Sequence, residues 1–292
     1  MIEFSKTIKR LATRAVPRGR SGDRVLALLK FVATHRRLPS KKLSFSDELY
    51  RIKVEKLSDP LRTFVSDKEY LKIYVTAEVG ANYAVPTVAV LRSPREVYEY
   101  SFPEFCCIKP THASGKVLFR QHGESLDLDE IASWFDYDYY RVSREANYEK
   151  LQRKVIVEPL IFNGVDITDY RFFCYGGEPR LITLDIGKYS GYMRAFFDAE
   201  WNEQNFSLHY PQAPRGTPRP ANLEEMLVVA RKLSSGFDFV RVDIYSNGVS
   251  CLVGEITNCH ASVRQRFSSP DAEELASRII FGSPSGECEQ AS

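Results

Sequence analysis

The sequence predicts an α+β fold. Strand-like apolar runs fill its middle, two pairs of them turn back on glycines as hairpins, and helix-period segments lie between and around them. With 292 residues, 43% of them hydrophobic and 27% charged, the chain is long enough to bury a substantial core. Taken in order, residues 45–60 read as helical, and Ser66-Asp67-Lys68 opens a second helix with Ser66 or Asp67 as N-cap. Residues 83–91 read as extended. The run 105–108, Phe-Cys-Cys-Ile, is a short buried strand that feeds a loop of small residues at 109–116. Residues 155–161 form another apolar strand ending in a turn. Residues 169–175 and 179–184 flank Gly176-Gly177 as a hairpin, a helix spans 222–233, and 237–245 with 250–256 make a second hairpin about Asn247-Gly248.

Charge divides the chain unevenly. Residues 1–42 hold twelve lysines and arginines against Glu3 and Asp23, a net of +10, so the rest carries −8 within a total of +2. A basic helical N-terminal arm (1–44) is therefore expected ahead of an acidic body, with a first subdomain at 45–155, a second at 156–282 and a disordered tail at 283–292. The arm's apolar stretch at 25–32 is too short to span a bilayer. It suits a helix packed on its own body, or peripheral contact with the inner face of a membrane. No run of eighteen apolar residues occurs and the N-terminal stretch lacks a signal-peptide core, so cytoplasmic residence is expected, without a nucleic-acid partner. The six cysteines and five histidines show no zinc or disulfide spacing.

Three constellations carry chemistry. Asp243 and Glu255 sit on the two arms of the second hairpin, with Asn258 just beyond, and antiparallel pairing can bring the two carboxylates together on one face. Set among Val, Ile and Leu, they would repel one another unless a hard cation such as Mg²⁺ lies between them; a solvated face with Arg241 as ion-pair partner is the plainer alternative. Lys109 ends an apolar strand, ahead of a Ser114-Gly115 loop whose backbone N–H groups could cover phosphate oxygens, although no Walker or Rossmann pattern is present. Lys68 and Lys72, one helical turn apart, either face the same phosphates or form surface pairs. Glu158, Pro159, Leu160 and Ile161 end a strand where a flat heterocycle could lie, or are simply core.

The order of these segments resembles the ATP-grasp superfamily, and within it the TupA-like proteins named for teichuronopeptide biosynthesis. The pattern is echoed in Phe64-Val65-Ser66-Asp67-Lys68, Ile108-Lys109-Pro110-Thr111-His112-Ala113-Ser114-Gly115, Ser143-Arg144-Glu145-Ala146-Asn147-Tyr148, Asp169-Tyr170-Arg171-Phe172, Phe197-Asp198-Ala199-Glu200-Trp201 and Phe239-Val240-Arg241-Val242-Asp243. The resemblance runs from about residue 45 to about residue 280. It implies two α/β subdomains clamping a nucleotide, with ATP and Mg²⁺ as cofactors. Lys72 or Lys68 and Lys109 would hold the phosphates, Ser114-Gly115 would form the lid, and Glu158 to Ile161 the adenine hinge. Asp169 would meet the ribose, and Arg171 and Lys188 the phosphates or an acyl phosphate. Arg241 would steady the transferred phosphoryl group while Asp243 and Glu255 bridge Mg²⁺. Relatives commonly end this site in E-x-N, whereas here Glu255-Ile256-Thr257-Asn258 requires Asn258 to shift or Thr257 to substitute.

The resemblance further implies an ATP-dependent carboxylate–amine ligase working through an acyl phosphate, its partners a uronic acid or related sugar of a surface polysaccharide and an amine or amino acid. Arg264 and Arg266 could hold the anionic substrate, or form a solvated basic turn. A kinase acting on a sugar hydroxyl with the same apparatus is the main rival, followed by a glycan-binding scaffold and then a glycosyltransferase.

Overall fold

The computed structural model describes residues 16–164, 167–186 and 191–282, so Lys188, the first fifteen residues and the tail 283–292 lie outside the described residues. The arm's described helix, α1 (Arg20–His35), puts Leu26, Ala27 and Phe31 into the body and leaves Val25 and Leu29 exposed. Polar contacts fasten it: Arg144 Nη1 and the Tyr140 hydroxyl donate to Asp23 at 2.9 and 2.6 Å, and His35 Nε2 donates to the Val263 carbonyl at 3.0 Å. No described helix is long and apolar enough to cross a membrane.

Next come α2 (Phe45–Arg51), a π-helical turn (Ile52–Lys56), α3 (Pro60–Ser66) and α4 (Lys68–Val79). Asp67, not Ser66, caps α4: its carboxylate accepts from the Glu69 N–H at 2.9 Å and pairs with buried Lys154 at 2.9 Å. The first sheet has the order β1-β4-β2-β3 and is antiparallel throughout. Its strands are β1 (Ala89–Leu91), β2 (Cys106–Pro110), β3 (Leu118–Arg120) and β4 (Val155–Glu158). β4 spans the expected subdomain junction and belongs to this sheet by its hydrogen bonds. Three short helices surround it: α5 (Pro94–Glu99), α6 (Leu128–Ser133) and α7 (Tyr139–Ser143). One face is apolar, with Cys106, Ile108, Val155 and Val157 packed on Trp134 and Ile131. Period-two alternation turns Cys107, Lys109, Ile156 and Glu158 to the other face.

The second sheet is a five-stranded antiparallel sheet of order β7-β6-β5-β8-β9. Both hairpins expected from the sequence are in it: β5 (Thr168–Tyr175) with β6 (Glu178–Ile186), and β8 (Phe239–Ser246) with β9 (Cys251–Thr257). β7 (Met193–Asp198) forms one edge. One face is uniformly apolar: Phe172, Ile182, Val242 and Ile244 pack under α8 (Leu223–Ser234) and α4. The opposite face changes character along the strands. At one end Phe173, Leu181, Phe196 and Phe239 are covered by α2 and α9 (Pro270–Phe281). Two residues further along the same strands stand Arg171, Thr183, Arg194 and Arg241, and beyond them Asp169, Asp185 and Asp243. Strand alternation thus places a polar stripe on the stretch of sheet that the helices leave uncovered.

Candidate active site

The first sheet contributes a clamp of charges. Glu158, at the end of β4, is 3% exposed, and its two carboxylate oxygens pair at 2.7 Å with Lys72 from α4 and at 2.7 Å with Lys109 from β2. Burial alone would push this carboxyl up, but the two ammonium groups outweigh it and hold Glu158 below its ordinary value. Lys109 gains correspondingly: burial disfavours its charge, Glu158 more than restores it, and Glu255 adds to the pull. Lys72 comes out lowered, burial prevailing over Glu158, and it also donates to Thr87 Oγ1 at 2.8 Å. Lys68 bonds the Ala113 carbonyl at 2.5 Å, with its backbone N–H on the Thr111 carbonyl at 3.2 Å. Burial lowers its pKa and Glu255 opposes that. These contacts fix the loop leading to Ser114 and Gly115, both exposed, the glycine with φ +79°. Pro159, Leu160 and Ile161 follow Glu158 as a half-buried segment entering a 3₁₀ turn.

The second sheet contributes the acids. Asp243 and Glu255 are directly opposite in the β8–β9 register, brought there by a bulge between Asp243 and Ile244, and Arg171 is opposite Asp243 across β5. Arg241 holds Asp243 bidentately, Nε and Nη2 each 2.6 Å from a carboxylate oxygen, and reaches Thr257 Oγ1 at 3.0 Å. The ion pair foreseen as an alternative does form, on a face that is buried rather than solvated. Asp243 is 6% exposed, and its carboxyl is pushed up to about 6 by burial, with Asp169 and Glu255 adding to the rise and Arg241 opposing it. Glu255 makes no ion pair among the described residues. A side chain at Gly254 would place Cβ 2.7 Å from Tyr245 Cζ, so the strand carrying Glu255 lies tight on Tyr245.

A chain of hydrogen bonds underpins these groups, and most of it was invisible in the sequence. Arg171 pairs with Asp169 at 2.8 Å and with Asp185; Arg194 Nε donates to Asp185 at 2.6 Å and its Nη1 to Gln265 Oε1 at 3.0 Å. Gln265 Oε1 also accepts from His260 Nε2 at 2.8 Å, which leaves His260 Nδ1 to accept from Arg241. Burial and the facing Arg241 push His260 well below its usual range, so the ring is neutral, as this bonding requires. The segment that delivers His260 is strained. Ala261, Ser262 and Val263 have φ of 47°, 56° and 63°, three consecutive left-handed residues including a β-branched one. Lys53 on Ser262 Oγ and His35 on the Val263 carbonyl pin it. Asp185, Arg194 and Gln265 were missed because no one-dimensional pattern links two neighbouring strands to the loop that follows β9. The signal was Asp185 directly after the mostly apolar run 181–184 and Arg194 directly before the apolar run 195–197.

Asn258 is not brought to the carboxylates. Its Oδ1 accepts from Arg62 at 3.1 Å, and its amide donates to the Arg62 carbonyl at 3.1 Å and to Ser66 Oγ at 3.2 Å, a latch between β9 and α3. Alternation explains this: Thr257 and Glu255 share a face, and Asn258 falls on the other. The expected third ligand is corrected accordingly, with Thr257 next to the acids. Asp169 Oδ1 and Arg171 Nε are buried without a hydrogen-bond partner. Lys188 lies outside the described residues. Arg264 and Arg266 are both exposed.

Among the described residues no group of three or more His, Cys, Asp and Glu side chains forms a metal cage. Two opposed carboxylates, one of them raised by burial with its acidic neighbours adding to the rise, nevertheless suit an ion that takes few protein ligands and completes its shell with phosphate and water.

Solved structures similar to the chain include D-alanine–D-alanine ligase from Bacillus anthracis (16% identity, TM-score 0.42, covering 75% of this chain and 64% of that one). The Helicobacter pylori enzyme of the same name is similar too (15%, 0.39, 68% and 56%), as is D-cycloserine synthetase DcsG (19%, 0.37, 70% and 65%). The chain thus spans 56% to 65% of the length of these structures. No curated protein matches it. The family model described as TupA-like ATPgrasp matches residues 49–280, covering α4, both sheets and every charged group of the cleft, and the chain belongs to that TupA-like ATP-grasp family.

Proposed function

We propose that this protein is an ATP- and Mg²⁺-dependent carboxylate–amine ligase that activates a sugar acid in the building of a surface polysaccharide. The observation that carries the reading is the meeting of two charge sets. Lys68, Lys72 and Lys109 stand on one side and Asp243 and Glu255 on the other, close enough for Glu255 to act on Lys68 and Lys109. Asp243 and Glu255 would hold Mg²⁺, which would supply charge neutralisation for the phosphate oxygens. Lys72 and Lys109 exchange part of their hold on Glu158 for phosphate oxygens. Ser114 and Gly115 cover the phosphates with backbone N–H groups, and Glu158 to Ile161 line the base. Asp169, with one carboxylate oxygen unpartnered, accepts from a ribose hydroxyl. Arg241 stands beside both acids, held planar by Asp243 and His260, and meets the charge that develops on the moving phosphoryl group; Arg171 and Lys188 steady the acyl phosphate. The substrate carboxylate attacks the γ-phosphorus, ADP leaves, and the amine then displaces phosphate from the acyl carbon. No covalent enzyme residue is needed.

The test is ADP release from Mg²⁺-ATP with a panel of uronic acids and uronate oligosaccharides, with and without hydroxylamine as surrogate amine. ADP with hydroxamate, both abolished in Lys109→Ala and Glu255→Gln, is the expected result. ADP without hydroxamate would replace the ligase by a kinase acting on a hydroxyl.

A further inference from the structure

A pocket of about 290 Å³ lies beside the cleft, between the loop that follows β2, α7 and the segment 148–153. Sites for small molecules run from roughly 300 Å³ upward, so this one fits a single small unit rather than a nucleotide. Tyr137, Tyr139, Tyr140 and Tyr148 make much of its wall. Its formal charges cancel, with Arg18 and Arg153 set against Asp138 and Glu149, and Arg18 pairs with Asp138 at 2.9 Å.

One residue of this wall, His112, carries an unsatisfied atom. His112 is 4% exposed, and its Nδ1 is buried without a hydrogen-bond partner. Its Nε2 lies 3.2 Å from the Tyr137 carbonyl, which can only accept, so Nε2 carries the proton. Burial lowers the ring's pKa, with Lys68 adding to the shift, and a neutral ring protonated at Nε2 leaves a lone pair at Nδ1. A buried acceptor of this kind costs free energy until an O–H or N–H meets it. The pocket also communicates with the cleft. Lys68 grips the backbone on both sides of His112, at Thr111 and Ala113, while Tyr139 and Tyr148 both feel the Glu255 carboxylate.

We propose that this pocket binds a neutral, hydroxyl-rich unit of monosaccharide size, with one hydroxyl donating to His112 Nδ1 and the ring lying among the tyrosines. Hydroxyl groups answer the orphan acceptor, a mostly polar lining with four phenols suits a polyol, and the balanced charges call for no net charge on the ligand. The unit is the neighbour of the reacting acid in the acceptor; that assignment, unlike the binding itself, rests on the ligase reading.

The experiment uses the full chain labelled with ¹⁵N-histidine, titrated with methyl glucoside, galactoside and mannoside, and with methyl glucuronoside, with and without Mg²⁺ and a non-hydrolysable ATP analogue. The His112 resonances are assigned by their loss in His112→Gln. The expected result is that at least one neutral glycoside moves His112 Nδ1 as hydrogen bonding requires and binds at least threefold more tightly than the glucuronoside. Affinity for that glycoside should fall about tenfold in Tyr148→Phe or His112→Gln. No movement with any neutral glycoside, or tighter binding of the glucuronoside, overturns the proposal. Nucleotide binding without a glycoside response sinks the pocket alone, whereas a glycoside response without nucleotide binding upholds the pocket and sinks the ligase reading.

Discussion

At the scale of single residues, the proposed Mg²⁺ site requires Asp243 to keep its charge. Because burial and its acidic neighbours raise it to about 6, Asp243 is protonated below that pH and ionised above it. A proton and a cation compete for the same oxygens, so affinity for Mg²⁺-nucleotide should be full above pH 6 and fall toward tenfold per unit below it. Calorimetric titration of a non-hydrolysable analogue between pH 5 and pH 8 reads this directly, and Asp243→Asn should bind weakly with the dependence gone. The sign for stability is opposite. A carboxyl raised above its unfolded value of about 3.9 favours folding at low pH, and that contribution is lost as pH rises from about 4 to about 6, so denaturant midpoints without ligand should decline over that interval and level off above it.

At the scale of elements, one aromatic ring holds the helical layer against the half of the sheet next to the acids. Phe45 on α2 is 2% exposed and meets Phe173, Phe239, Phe267 and His260, with ring centroids 5.2 to 6.2 Å apart. Phe45→Ala should cost about 3–5 kcal/mol by cavity formation. Because the ring also backs His260, the variant should lose nucleotide affinity on top of stability, as denaturation and binding measured on one preparation would report. The elements themselves were largely legible. Gly176-Gly177 and Asn247-Gly248 marked both hairpins, and antiparallel pairing brought Asp243 and Glu255 to one face, although the bulge that sets them opposite was not legible. The clamp on Glu158 was not legible, because Lys72, Lys109 and Glu158 come from three separate elements. Asn258 was misassigned because the family pattern was counted in residues while strand alternation decides the face. The strained run 261–263 carries no glycine to announce it, and only contacts from α1 and the π-helical turn explain how it is held.

At the scale of the whole molecule, the two sheets meet through charges that a bound nucleotide would bridge. A ligand that binds only the folded state at a hundred times its dissociation constant adds about 2.7 kcal/mol of stability. The unfolding midpoint should therefore climb with Mg²⁺ and the analogue together, and Lys109→Ala or Glu255→Gln should flatten the response. The order of strands has a further consequence, for how the chain is made. β5 sits at the centre of its sheet, between its own hairpin partner β6 and β8, which emerges from the ribosome much later. Yet Arg171 finds Asp169 and Asp185 within the first hairpin, and Arg241 finds Asp243 on its own strand. Each of these arginines therefore leaves the exit tunnel with a carboxylate partner in its own piece, so the slow long-range closure of the sheet leaves neither of them buried and waiting for a partner still to be synthesised.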